Sequence, residues 1–219
     1  MENAPRKNAF VRKKVIDWYL QHGRDFPWRR TTDPYQILIA EILLRRTTAA
    51  AVSRTFSDFV NRFDTPSHLA NASESEVAKA LASVGLQTIR AKQFRKAASI
   101  IVRDFDGVTP RSHDDLQSLP GVGNYIASAV RNFAFGESVP LVDGNVIHFL
   151  SRVFGIQFTG PNDARAWEYT DQFGGSHKAE LYWGIIDLVA AVCLRRNPRC
   201  IECPLTEVCD WYAKSSESK

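Results

Sequence analysis

All four cysteines of this chain, Cys193, Cys200, Cys203 and Cys209, fall within the last 27 of its 219 residues. Disulfides that staple a fold are distributed along it, so this crowding reads as a ligand set. Six, two and five residues separate the successive cysteines. Four thiolates in so short a span can surround one centre, and thiolate donors select an iron–sulfur cluster or zinc. Structural zinc usually presents two separated pairs with about two to four residues inside each. Only Cys200 and Cys203 form such a knuckle, so the irregular spacing suits a cubane reached by loops. Zinc and disulfides remain as the other readings. The segment between the first two cysteines holds Arg195, Arg196 and Arg199, so the centre also supports a basic loop.

The rest of the chain must supply the core. With 44% hydrophobic and 24% charged residues it has globular usage and length enough for one or two cores. Apolar runs such as 37–40 are interrupted by charge within a few residues, which excludes a bilayer-spanning helix. Residues 1–14 are polar and basic, with no apolar signal region, so an intracellular protein is expected, cytoplasmic or nucleoid-associated if prokaryotic. A transit peptide would share only the basic amphipathic start. Net charge is +4 but uneven: residues 1–30 carry eight Lys and Arg against three Asp and Glu, whereas residues 111–192 carry five against nine. A basic end suits a polyanion, and an ordinary solvated surface accounts for it nearly as well.

Apolar residues recur at helical spacing nearly throughout, and no alternating pair flanks a tight turn, so the fold class is all-α. The pattern predicts helices ending near Gly23, from Pro34 to about Leu44, from about Thr48 to Phe63, over 89–104, near 113–119, from Asn124 to about Phe135, and over 144–154. Ser73 with Glu76 forms a capping box before a helix that Gly85 can close. The five histidines (22, 68, 113, 148 and 177) lack metal spacing, and the five tryptophans read as packing residues.

Three places carry chemistry. Leu119-Pro120-Gly121-Val122-Gly123 joins a short helix to a longer one, with glycines that permit a tight turn and leave amides uncovered. Such amides suit a phosphate oxygen, although a plain Pro-Gly turn has the same composition. Because the surroundings are acidic, an anion there would be held by backbone rather than by bulk charge. Asp143 precedes a helix and is either its N-cap or an ionised carboxylate beside a developing cation, two compatible roles. Helix amides are expected to lower its pKa. Glu41 stands in an otherwise apolar helix, where a carboxylate is costly unless it lines a pocket or keeps to a solvated edge.

The Leu-Pro-Gly-Val-Gly hairpin, Asp143 eighteen residues beyond Tyr125, and the cysteine spacing together resemble the endonuclease III family of helix–hairpin–helix DNA glycosylases. The resemblance runs over about residues 8–212. It implies two helical domains flanking a DNA-binding cleft: a six-helix module over 30–134, and a second domain from 1–29 and 135–219 holding a [4Fe-4S] cluster on the four cysteines. The partner would be double-stranded DNA with a mismatched or damaged base, one nucleotide flipped into a monomeric protein, with no membrane involved.

Family members that also nick the strand place a Lys where this chain has Tyr125. A phenol forms no Schiff base, so base removal without efficient lyase activity is expected. The 40–48 stretch, Ala-Glu-Ile-Leu-Leu-Arg-Arg-Thr-Thr, is similar to that of G·T mismatch glycosylases, which share the Tyr. The resemblance therefore implies release of thymine or uracil opposite guanine. Against this, Asp143-Gly144-Asn145-Val146 resembles the adenine enzymes' version of the motif, so adenine release from A·G or A·8-oxoguanine is the alternative. A non-catalytic DNA-binding iron–sulfur protein is the reading of another class. By the same resemblance Asp143, Tyr125 and Glu41 are the catalytic candidates, Glu41 for base recognition and proton donation. Leu119, Gly121, Val122 and Gly123, the wedge Leu86, Arg46 and Thr47 facing the opposite strand, and Arg195 and Arg196 would contact DNA.

Overall fold

The computed structural model describes residues 3–176 and 178–217, which leaves His177 outside the described residues. Among those described the chain is all helical, without a strand. The helices are α1 (Asn3–His22), α2 (Pro34–Leu44), α3 (Ala49–Arg62), α4 (Pro66–Asn71), α5 (Glu74–Ala80), α6 (Gln87–Asp104), α7 (His113–Ser118), α8 (Asn124–Phe133), α9 (Gly144–Phe154), α10 (Ala164–Gly174), α11 (Ala179–Ala191) and α12 (Asp210–Glu217). None is long and apolar enough to cross a membrane.

Short polar side chains set where these helices begin. Asp33 Oδ1 accepts the Tyr35 amide at 2.8 Å, with Pro34 occupying the first helical position, where no N–H is needed. Thr48, Thr65 and Ser112 cap α3, α4 and α7 in the same manner. Ser73 and Glu76 close the capping box on α5. A 3₁₀ turn over Ala82–Val84 then leads into Gly85, and α6 begins at Gln87, two residues before the apolar pattern suggests.

The chain divides into two compact units, one formed by residues 25–137 and the other by the chain up to Arg24 together with everything from Ser138 on. In the central unit α4 and α5 pack on α6, and α2 packs on α8. Phe59 and Phe94 meet there at 5.3 Å between ring centroids, with Leu38, Leu69, Leu81 and Ile101 buried around them. In the terminal unit α11 lies between α1 and α9. Gly184 makes that approach close: a Cβ there would sit 2.8 Å from Val15. Tyr182, Phe149 and Phe173 fill the interior.

One ion pair fastens the end of the first terminal segment. Arg24 donates to Asp187 Oδ1 through Nε at 2.8 Å and Nη2 at 2.6 Å, and its backbone N–H reaches Oδ2 at 2.7 Å. Asp187 is almost wholly buried. Arg24→Met leaves that carboxylate short of its charge partner and is expected to lower unfolding free energy by about 3 kcal/mol. Urea denaturation measures the loss, and an unchanged midpoint would show the pair to be dispensable.

Candidate active site

Asp143 sits at the N-cap of α9 with both carboxylate oxygens engaged. Oδ1 accepts the amides of Asn145 at 2.9 Å and Val146 at 2.8 Å, while Oδ2 accepts the Asn145 side-chain amide at 2.8 Å. Leu141 and Val142 before it are buried and fix the chain's entry. The capping geometry predicted from sequence is present, but the expected net lowering of the pKa is not. Burial, the largest influence, pushes the carboxyl up, and it outweighs the amides and the nearby Arg195 guanidinium, which pull it down.

The cysteine loop is tied to this same helix. Arg195 Nη2 donates to the Gly144 carbonyl at 3.0 Å, one residue from Asp143. One turn and two turns further along α9, His148 Nε2 lies 2.9 Å from the Cys193 carbonyl, and Arg152 donates to Leu194 O at 2.9 Å and Arg195 O at 3.2 Å. Arg152 also approaches Cys193 Sγ at 3.6 Å and lies over the Trp211 ring. His148 thus ties α9 to the cysteine loop, a role that the absence of metal spacing gave no means of finding. Arg195 and Arg196 are both exposed on the loop.

All four cysteines are free thiols, and all four line one cavity together with Arg152, Val192 and Trp211. Among the described residues no three His, Cys, Asp or Glu side chains are placed to hold a single ion. Four thiols lining one cavity supply the kind of donor set that a thiolate-held metal group requires. Burial pushes the thiols of Cys193 and Cys200 up, and that of Cys203 to about 11.

The remaining candidates lie in the central unit. Glu41 is on α2 and 6% exposed. Tyr125 is half-buried in the first turn of α8. Of the hairpin residues expected to meet DNA, Leu119 and Val122 bury their side chains at 1% and 8% exposure, and the Val122 amide is engaged by the Leu119 carbonyl at 3.1 Å. Those two pack the turn, which leaves the backbone at Gly121 and Gly123 as its accessible part. Gly121 has φ +87°, a conformation suited to glycine. Gly123 caps α8 without a side chain, and a Cβ there would touch nothing within 4 Å.

Arg46 (φ +53°) and Leu86 (φ +51°) are exposed and in left-handed backbone, the latter 53% exposed. For non-glycine residues this conformation costs on the order of 1–2 kcal/mol each. Thr47, in contrast, does not present a free hydroxyl, because Arg90 Nη2 donates to it at 2.6 Å. Sequence reasoning missed Arg90 altogether: it occupies a core position of α6, 5% exposed, where charge is not expected.

A thymine-DNA glycosylase from Aeropyrum pernix is 38% identical over 209 residues, covering 92% of this chain and 94% of that protein. An adenine DNA glycosylase from Mycobacterium tuberculosis is also 38% identical over 91% of this chain, but the match takes in 66% of that protein. Among solved structures, that of a thermostable thymine-DNA glycosylase superposes with a TM-score of 0.92 at 33% identity, covering 97% of this chain and 99% of the other. Residues 39–168 match the profile of the HhH-GPD superfamily base excision DNA repair proteins, and the chain belongs to that family.

Proposed function

We propose that the protein is a monofunctional DNA glycosylase that hydrolyses the N-glycosidic bond of thymine or uracil mispaired with guanine. The observation that carries the reading is the extent of similarity. A thymine-DNA glycosylase and a thymine/uracil-DNA glycosylase are 38% and 35% identical over 92% and 96% of this chain, and a thermostable thymine-DNA glycosylase superposes with a TM-score of 0.92. The Asp-Gly-Asn-Val motif at 143–146 is the one feature that favours adenine release. Duplex DNA carrying the mismatch is the partner, met by a monomer in the cytoplasm or nucleoid.

Breaking the bond develops positive charge on the sugar and negative charge on the departing base. The Asp143 carboxylate, held by α9 amides, stabilises the cation and orients water. Glu41 and Tyr125, from the central unit, recognise the extruded base, and Glu41 supplies a proton to it. Tyr125 offers no amine for Schiff-base chemistry, so strand cleavage does not follow. Cys193, Cys200, Cys203 and Cys209 would hold a [4Fe-4S] cluster, which would stabilise the thiolates and cross-link the loop. Through Arg195 and Arg152 that loop steadies the head and tail of α9.

Incubation with G·T, G·U and A·G duplexes followed by alkali tests the substrate. Breaks confined to the T- and U-bearing strands are expected; a break confined to the adenine strand, or none on any duplex, would overturn the reading. Asp143→Asn should slow excision about 10³-fold while duplex binding persists. Because burial raises the Asp143 pKa, the acid limb of the rate profile should lie above the ordinary carboxylate value. Arg195→Gln, removing the nearby positive charge, should move that limb further up, and an unmoved limb would separate Arg195 from Asp143. Tyr125→Lys should yield an adduct trapped by borohydride. Metal analysis should find about four irons per chain with visible charge-transfer absorbance, whereas one zinc and no visible band would replace the cluster.

A further inference from the structure

Arg90 is a buried cation whose acceptors lie in the last turn of α2 and just beyond it. Its Nη1 donates to Leu43 O at 3.2 Å, and its Nη2 to Arg45 O and Thr47 Oγ1, both at 2.6 Å. Among the described residues no carboxylate pairs with it. Its charge is satisfied instead by the carbonyl-rich end of α2, where the last carbonyls lack helical partners and the helix dipole favours a cation. The side chain thereby dictates the path of residues 43–47, the segment in which Arg46 takes its left-handed turn.

The same guanidinium controls the neighbouring loop. Arg90 lies on the first turn of α6, and its own amide bonds to the Leu86 carbonyl at 2.9 Å. Thr47 Oγ1, held by Arg90, lies 3.4 Å from Val84 O on the approach to Leu86. A third loop joins through Arg45, whose Nη1 donates to Gly121 O in the hairpin at 2.8 Å. A Cβ on Gly121 would lie 3.6 Å from Gln93 Oε1, so α6 backs the hairpin as well. Hydrogen bonds from Arg90 thus reach the segments that carry Arg46 and Leu86 and, through Arg45, the glycine hairpin.

We propose that Arg90 is a positioning residue for duplex opening: it holds Leu86 and Arg46 as a fixed pair of prongs, so that extruding a base requires no reordering of either loop. The proposal rests on the base-release reading above. It gives the strained, exposed Arg46 and Leu86 a role. It also accounts for a cation left without a carboxylate, since an acidic partner at this place would repel a polyanion.

The test uses full-length protein and G·T and A·G duplexes bearing 2-aminopurine beside the target, with a 2′-fluoro sugar that blocks cleavage, so that opening is read apart from chemistry. Wild type should raise the fluorescence. Arg90→Met should abolish the rise and slow single-turnover excision of the cleavable duplex about 10²-fold, with duplex affinity held within about threefold, and Arg90→Lys should recover part of the rate. Leu86→Ala should slow wild type about tenfold yet add nothing to Arg90→Met, because the prong is already misplaced. Losses that multiply, or wild-type opening by Arg90→Met, would overturn the proposal. Should Arg90→Met fail to fold, Thr47→Val, which removes the shared hydroxyl, enters the same cycle with Leu86→Ala and is judged by the same non-additivity. A wild-type protein that opens neither duplex overturns the base-release reading together with this one, whereas wild-type opening with an unaltered variant overturns this one alone.

Discussion

The carboxylate of Asp143 is bound to the helix that it begins. With Oδ1 on two backbone amides and Oδ2 on Asn145, it has one rotamer to occupy and no freedom to turn away. The amides that orient it also oppose, without outweighing, the burial that raises its pKa. A carboxylate on a free loop would lack these amides. The remainder of the terminal unit reads as support for this arrangement: α11 packs against α9, and the cysteine loop braces α9 from its first residue to its last turn.

Both units use the same device to order irregular chain. Arg152 in the last turn of α9 and Arg90 near the start of α6 each satisfy loop carbonyls rather than carboxylates. A guanidinium presents several donors in a rigid plane, so one side chain can fix several carbonyls of a segment that makes no ladder of its own. Each also remains a net positive charge. Segments that must be ordered, exposed and receptive to a polyanion are well served by this arrangement, in which ordering the loop adds no acidic group.

How far the sequence revealed this depended on whether a contact is local. Caps and turns are local, so Pro34, Ser73, Asp143 and the glycine hairpin were legible from neighbours within four residues. The cysteine spacing was legible because ligands of one centre cluster in sequence. Arg90 and His148 were not, because their partners lie 43 to 47 residues away. A buried arginine also imitates an exposed one in any periodic pattern. Thr65 with Pro66, which start α4, escaped notice because the helix they open is only six residues long. The rise in the Asp143 pKa was missed for a related reason: capping amides are visible in sequence, but the burial that outweighs them is made by the fold.

The terminal unit is discontinuous: α1 precedes the central unit, and α9, α10, α11 and α12 follow it. During synthesis the central helices can fold as they emerge, because residues 25–137 are contiguous. Helix α1 must wait for α11, leaving Val11 and Val15, which are wholly covered in the finished protein, exposed while more than 150 residues are made. The basic residues interspersed along α1 have a second service in that interval. They keep an unpartnered amphipathic helix soluble until its apolar stripe is claimed.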